Sequence, residues 1–249
     1  MSGHSKWASI KHQKGAKDKA RGKLFAKLIR QVEVSAREGG GDLSANATLR
    51  SMVAKAKTAS VPADTIDRAI KRGTGELEGV RYEAISYEGY APSGVAVIVE
   101  CLSDNRNRTG SEIRSAFVKS GGSMAEPGAV SWQFERKGVV LLPKKVDEDD
   151  VMAVALEAGA DDLEDQGEAW QLTCAPADLH ALRTALEGAG MDLESAETML
   201  VPTSVVPVEQ EGEARRVLRL IDLLEDHDDV QNVYANFDIP DAVIELVEA

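Results

Sequence analysis

Between residues 138 and 201 the chain runs through six elements in an order that few folds accept. Residues 138–142 (GVVLL) read as a strand, 147–158 as a helix, 160–164 and 168–174 as strands, 176–188 as a helix and 192–200 as a strand. That βαββαβ order is the ferredoxin-like pattern. The acidic run Asp147–Asp150 stands at the start of the first of these helices, where negative charge complements the helix dipole.

What flanks this unit is incomplete without it. Upstream, residues 82–90 and 94–102 read as strands around the turn signal Ala91-Pro92-Ser93-Gly94, and 129–135 reads as a third strand. A helix lies between them, opened by Thr109 and Glu112 as a capping box and closed by Gly121-Gly122. Alternation along 129–135 puts Trp132 and Phe134 on one face, where core packing outweighs base stacking because no RNP1 pattern accompanies them. These strands lack a last helix and strand, and residues 209–226 and 230–237 supply both downstream. The ferredoxin-like unit is therefore an insertion.

Before residue 81 the period is helical. With Lys19 at 0° on a wheel, Lys23, Lys27 and Arg30 fall within about 80° of it. Leu24, Phe25, Leu28, Ile29 and Val32 fall opposite, and Gly39-Gly40-Gly41 ends the helix. A second helix follows Ser44 with Leu49, Met52, Val53 and Ala56 inward. A third starts at Pro62 and stops before Gly73. The fold class is α+β in three domains. Residues 1–80 form a basic arm and helical head, 81–137 with 203–249 a discontinuous α+β domain, and 138–202 the inserted ferredoxin-like domain.

Charge is distributed unevenly over this layout. The net charge is −13, which taken alone argues against a polyanion ligand. Residues 1–30, however, carry nine Lys or Arg and one acid, residues 31–80 are neutral, and residues 81–249 carry a net −21. Polyanions are repelled by the body and attracted by the head. The candidate phosphate contacts are Lys6, Lys11, Lys14, Lys17, Lys19, Arg21, Lys23, Lys27 and Arg30, with Trp7 as a possible base stack. A solvated tail, or a contact between these cations and the chain's own acidic body, is the competing reading.

The segment Asp104-Asn105-Arg106-Asn107-Arg108 sits between a strand and a helix. Either Arg106 and Arg108 are displayed to phosphates or an acidic partner, or the Asn and Asp side chains satisfy a turn. His4 and His12 match no metal spacing, and His180 and His227 read as helix surface positions. Gly73-Thr74-Gly75 lacks a phosphate-loop frame and reads as a helix stop. No nucleophile elbow, zinc motif or dinucleotide fingerprint occurs, so no catalytic residue, metal or cofactor is expected. Cys101 and Cys174 form no CxxC pair, no apolar run approaches the ~18 residues of a membrane span, and no secretory signal opens the chain. A cytoplasmic chain without membrane contact is expected.

Several long segments resemble the YebC/PmpR family. They are MSGHSKWASIKHQKGAKDKARGKLFAKL at the start, RAIKRGTGELEG (68–79), YEGYAPSGVAVIVECLSDNRNRT (87–109) and NVYANFD (232–238). The resemblance runs over the whole chain and is strongest in residues 1–138. It implies the same three-domain architecture and no catalytic residues. It also implies a DNA-binding transcriptional regulator or, as in other relatives, a translation factor that acts on the ribosome at difficult sequences such as proline runs. The SGHSKW motif begins at residue 2, which favours a bacterial cytosolic member over the leader-bearing mitochondrial branch. Partners are then DNA or ribosomal RNA. A protein–protein adaptor using the acidic body is the reading from another class. The sequence does not set the oligomeric state.

On this reading the double reversal Lys23→Glu with Lys27→Glu weakens nucleic-acid binding with little loss of fold, because both side chains sit on the exposed stripe. Filter binding across a salt series, with thermal unfolding alongside, measures both.

Overall fold

The computed structural model describes residues 18–167 and 169–248, with side chains from Gly22 to Val247 in that span. The head is three helices, α1 (Asp18–Gly39), α2 (Ala47–Thr58) and α3 (Ala63–Thr74). Leu28, Val32 and Ala36 of α1 meet Leu49, Val53 and Ala56 of α2 and Ile66 and Ala69 of α3 in one apolar cluster. No single short helix is stable alone, so this shared cluster is what makes each of them form. Asn46 locks the α1–α2 corner. Its Oδ1 accepts from the Leu49 N–H at 3.0 Å, and its Nδ2 donates to the Ser35 and Gly40 carbonyls at 2.8 Å each.

Two details of the head depart from the pattern. Leu24, expected inward, is 48% exposed, because α1 outruns α2 and α3 at its first turns. The third helix runs through Gly73 and ends on Gly75, whose left-handed φ of 85° terminates it. Gly73 is instead the point where α3 crosses α1. A Cβ there would lie inside contact distance of the Glu33 carbonyl and 2.7 Å from the Ala36 Cβ.

The middle domain begins with the hairpin β1 (Glu83–Tyr90) and β2 (Ala96–Ser103), paired from Glu83 opposite Ser103 to Tyr90 opposite Ala96. Then come α4 (Arg106–Lys119) and the short edge strand β3 (Ser123–Ala125). Asn105, not Thr109, caps α4, its side chain accepting from the Arg108 N–H at 3.1 Å. Thr109 lies one turn inside and is fully buried.

The strand expected over 129–135 is absent. Ser131–Gln133 forms a single tight turn, and the strand starts at Phe134. The cause is Glu88, whose carboxylate accepts the backbone N–H groups of Gly128, Val130 and Ser131 at 2.8, 2.7 and 3.0 Å. Burial alone would raise the Glu88 pKa, but these three donors outweigh it and hold it below the ordinary value. The turn breaks the alternation, so Phe134 is buried while Trp132 is 73% exposed, against the expected core position for both.

The insert then follows its expected order: β4 (Phe134–Pro143), α5 (Glu148–Glu157), β5 (Ala160–Asp165), β6 (Ala169–Cys174), α6 (Leu179–Gly188) and β7 (Ser195–Pro202). The sheet order is β5-β6-β4-β7, and every pairing is antiparallel, as a ferredoxin-like unit requires. Asp147 caps α5 through the Asp149 N–H at 3.0 Å. β4 is one continuous strand of ten residues that runs across position 137/138.

The chain returns through β8 (Val206–Pro207), α7 (Glu211–Glu225), β9 (Val230–Ala235), β10 (Phe237–Asp238) and a terminal helix α8 (Asp241–Glu248), which the pattern did not announce. β9 pairs antiparallel with β2 and completes the sheet β3-β1-β2-β9. Val97, Val99 and Cys101 of β2 pack under α4 and α7, against Ile113, Phe117, Val217 and Ile221. Ala96 and Ile98 point the other way, onto Phe134, Tyr234 and the insert's Met199 and Leu200. Burial on both faces is why β2 reads as an apolar run from Ala96 to Leu102, interrupted only by Glu100.

Gly73→Ala is expected to destabilise the chain by about 1–3 kcal/mol, because the neighbours at the crossing are backbone and a helix-borne Cβ that cannot swing aside. Urea unfolding of the two proteins measures the difference.

Candidate nucleic-acid interface

The structure gives the predicted cations different surroundings. Lys6, Lys11, Lys14 and Lys17 lie outside the described residues, as do Trp7 and the side chains of Lys19 and Arg21, whose backbones belong to the first turn of α1. Lys23, Lys27 and Arg30 share one face of α1, as their spacing predicted. That face is turned onto the end of α7. Lys23 Nζ donates to the Asp226 carbonyl and pairs with Asp226 Oδ1, both at 2.8 Å. Lys27 Nζ donates to the Glu225 carbonyl at 2.8 Å. Arg30 Nη1 donates to the Asp228 carbonyl at 2.6 Å and to Asp229 Oδ1 at 2.8 Å, and its guanidinium lies 5.2 Å from the centroid of the Tyr82 ring.

The Glu225 and Asp226 carbonyls are oxygens that a helix C-terminus leaves without intrahelical donors, and the negative end of the helix dipole lies there. Two cations of the head, Lys23 and Lys27, thus cap a helix of the body, and Arg30 holds the turn just beyond it. The expectation that Lys23 and Lys27 stand on an exposed stripe, open to charge reversal without loss of fold, is corrected. Lys23 is only 27% exposed and Lys27 is half-buried, and a carboxylate in either place would face carbonyl oxygens.

Arg106 and Arg108 also part company. Arg106 opens α4 and is exposed, and its carbonyl accepts from the Tyr87 hydroxyl at 3.2 Å. Arg108 bridges Asp104 Oδ1 at 2.8 Å and Asp229 Oδ2 at 2.7 Å, so it works as an internal tie. The hydrogen bonds it donates to Asp229 and then Asp104 raise its pKa further. Asn105 satisfies the turn, as one reading of that loop expected, and Arg106 is exposed.

At the centre is Asp229, which the residue pattern did not single out. Its side chain is 3% exposed. Arg30 holds one oxygen, while Arg108 and the Thr109 hydroxyl, at 2.6 Å, hold the other. Ser103 Oγ lies 2.6 Å from Thr109 Oγ1 and completes the network. The Asp229 carbonyl accepts from the Leu102 N–H at 2.8 Å, and its own N–H donates to His227 Nδ1 at 3.1 Å. That bond leaves the other ring nitrogen of His227 to donate to Glu112 Oε2 at 2.7 Å. Burial would raise the Asp229 pKa, but the Thr109 and Arg108 hydrogen bonds and the charges of Arg108 and Arg30 hold it below the usual value. Burial first, then the Asp229 charge, pushes the neighbouring Cys101 thiol up to about 12. The signal for this hub was present: Glu225-Asp226-His227-Asp228-Asp229 puts acids at the helix end where the dipole disfavours them, so cations must come from elsewhere.

The remaining exposed cations of the head are on its far helices. Among the described residues, Arg50 and Lys57 of α2 and Arg68 and Lys71 of α3 are exposed, and Arg50 donates to the Leu43 and Ser44 carbonyls. Lys55 instead reaches Glu197 of β7 at 2.9 Å, a second tie from the head to the rest of the chain. Between head and middle domain lies an open cleft of about 570 Å³ lined by Ile29, Arg30, Glu33, Arg72 and Tyr82. Its cations are already paired, since Arg72 Nε donates to Glu33 Oε2 at 2.8 Å.

A helical head clamped onto a split α+β domain that carries a ferredoxin-like insert defines a three-domain architecture rather than a lone helical DNA-binding module. Known proteins share it from end to end. A family model described as the TACO1/YebC protein N-terminal domain matches residues 5–76, and one described as the TACO1/YebC second and third domain matches residues 82–237. The chain belongs to the TACO1/YebC family. A protein of Beutenbergia cavernae named "Probable transcriptional regulatory protein" is 58% identical over 98% of both chains. Relatives with that designation from Thermobifida fusca and Streptomyces coelicolor are 57% and 55% identical, the latter over 100% of both chains. The crystal structure of a conserved hypothetical protein from Aquifex aeolicus superposes with a TM-score of 0.84 at 44% identity, covering 92% of this chain and 96% of that one.

Asp229→Ala is expected to cost about 2–3 kcal/mol, because it leaves Arg30 without its anion and Arg108 with Asp104 alone, although both keep some access to water. In the unchanged protein the carboxylate's contribution is complete at neutral pH, because its folded pKa is depressed. It declines only as the pH falls below about 4, through the unfolded value and then the folded one. Urea midpoints measured across that range for both proteins should converge at the acid end.

Proposed function

We propose that the chain is a nucleic-acid-binding regulator of gene expression. The observation that carries this is the charge division, nine Lys or Arg with one acid in residues 1–30 against a net −21 beyond residue 80. A polyanion is drawn to one end of the molecule and repelled by the rest, which orients it before any contact forms. The names of the relatives, transcriptional regulators, fit a DNA ligand, and the work belongs in the cytoplasm.

One observation favours a ribosome-associated translation factor as a second reading. Seven of the nine cations in residues 1–30 are lysines. Lysine acts as a point charge on phosphate, whereas base edges are read by bidentate Arg, Asn or Gln. A ligand recognised by shape and backbone, such as folded ribosomal RNA, suits that chemistry. In either case Lys6, Lys11, Lys14, Lys17, Lys19 and Arg21 are the proposed phosphate contacts, with Arg106 an accessory one.

Ultraviolet crosslinking in cells, followed by sequencing of the attached nucleic acid, tests the reading. Discrete promoter DNA supports the transcriptional role, and one centred site on ribosomal RNA supports the translational one. Recovery of neither above background removes nucleic acid from the proposal. In solution, six phosphate contacts give a slope of log K against log salt near about −5 on duplex DNA. A slope near zero would show that these cations serve some other partner.

A further inference from the structure

The joint between head and body differs from the other interdomain joint. The middle domain and the insert share an apolar cluster built from Ile98, Phe134, Tyr234, Met199 and Leu200. The head's apolar cluster is drawn from its own three helices. Among the described residues, cations of the head tie it to the body: Lys23 to Asp226, Lys27 to the Glu225 carbonyl, Arg30 to Asp228, Asp229 and the Tyr82 ring, and Lys55 to Glu197. The covalent connection is residues 75–81, which are exposed throughout and carry no helix or strand. Domains joined by a polar contact and a short exposed linker part more readily than those with a shared apolar core.

The atoms that meet in this joint are telling. Lys23, Lys27 and Arg30 line up along α1 and face a row of oxygens, each at 2.6–2.8 Å: two carbonyls from the end of α7, the Asp228 carbonyl, and the carboxylates of Asp226 and Asp229. A row of anionic or dipolar oxygens held by three cations is also what a nucleic-acid backbone presents to such a helix face.

We propose that the acidic end of α7 occupies a phosphate-binding surface of α1, so that a nucleic-acid backbone engages Lys23, Lys27 and Arg30 only by displacing the body from the head. This rests on the nucleic-acid reading of the head. It adds that part of the binding surface is masked within the molecule and that binding opens the joint. Residues 1–21 supply the first contact, and the α1 face follows as the backbone replaces the α7 oxygens.

Zero-length carbodiimide crosslinking of the full chain tests this. The reagent activates the Asp226 carboxylate, the Lys23 amine attacks it, and an amide forms as the urea by-product leaves with the carboxylate oxygen. Mass spectrometry should find the Lys23–Asp226 bridge in the free protein, and its yield should fall in step with occupancy when polyuridylate or mixed-sequence duplex DNA, each lacking terminal phosphates, is added. A bridge that persists at saturation overturns the proposal and leaves the nucleic-acid reading standing. Failure of both probes to bind at all overturns the nucleic-acid reading itself, and the proposal with it. Absence of the bridge in the free protein also overturns the proposal.

A second arm uses affinity. Asp226→Asn weakens the internal competitor and should tighten binding about threefold, the effect of one partly exposed ion pair. Asp192→Asn removes the same charge far from α1, where Asp192 pairs with Lys145, and should leave affinity within error. Equal tightening in both variants would mean general charge relief and would overturn the proposal.

Discussion

A carboxylate taken out of water costs several kcal/mol unless its oxygens are filled, and Asp229 is such a carboxylate. Its donors come from two separate parts of the chain, Arg30 from the head and Arg108 and Thr109 from the start of α4. A hydrogen bond to a charged group contributes about 1.5–3 kcal/mol, so two or three are enough to offset the burial and one is not. The position of α1, the first turn of α4 and the end of α7 are therefore settled together. Two arginines that a charge count would offer to a ligand are turned onto Asp229 for this reason, although Arg108 stays 43% exposed. Ser103 and Thr109, ordinary residues by type, become fixed because the network needs their hydroxyls.

Much of the fold was legible because it follows from period. The apolar run in β2 has to be covered on both faces, and the incomplete hairpin had to find its last strand downstream in β9. The βαββαβ order predicted the insert with its sheet topology. What stayed hidden depended on a partner distant in sequence. Alternation placed Trp132 beside Phe134, but the Glu88 carboxylate gathers the preceding loop and turns the indole outward. Thr109 and Glu112 have the spacing of a capping box, yet Asn105 caps and Thr109 is needed at Asp229.

The cationic face of α1 is the most instructive case. Helical spacing correctly grouped Lys23, Lys27 and Arg30, and it could not say what they face. The sequence did carry half of the answer in the acids that close α7, which oppose the helix dipole. Two locally unfavourable features, an unbroken cationic stripe and an acidic helix end, are each relieved by the other. Such a pair marks a contact more reliably than either feature alone.

β4 has a consequence for how the protein is made. It is a single strand that begins in the packing of the middle domain and ends in the core of the insert, and the strand that completes the middle sheet is β9. A ribosome releasing the chain presents the head, then a hairpin whose second strand has one bare edge, then the whole insert, before β9 emerges. At about 5–20 residues per second that edge waits several seconds or more. The insert, complete in itself, folds during the interval, and through β4 it holds Phe134 in register as a ready-made floor for Ile98. The body thus closes around an already folded guest, and α1 finds its acidic counterpart only once the last quarter of the chain has arrived.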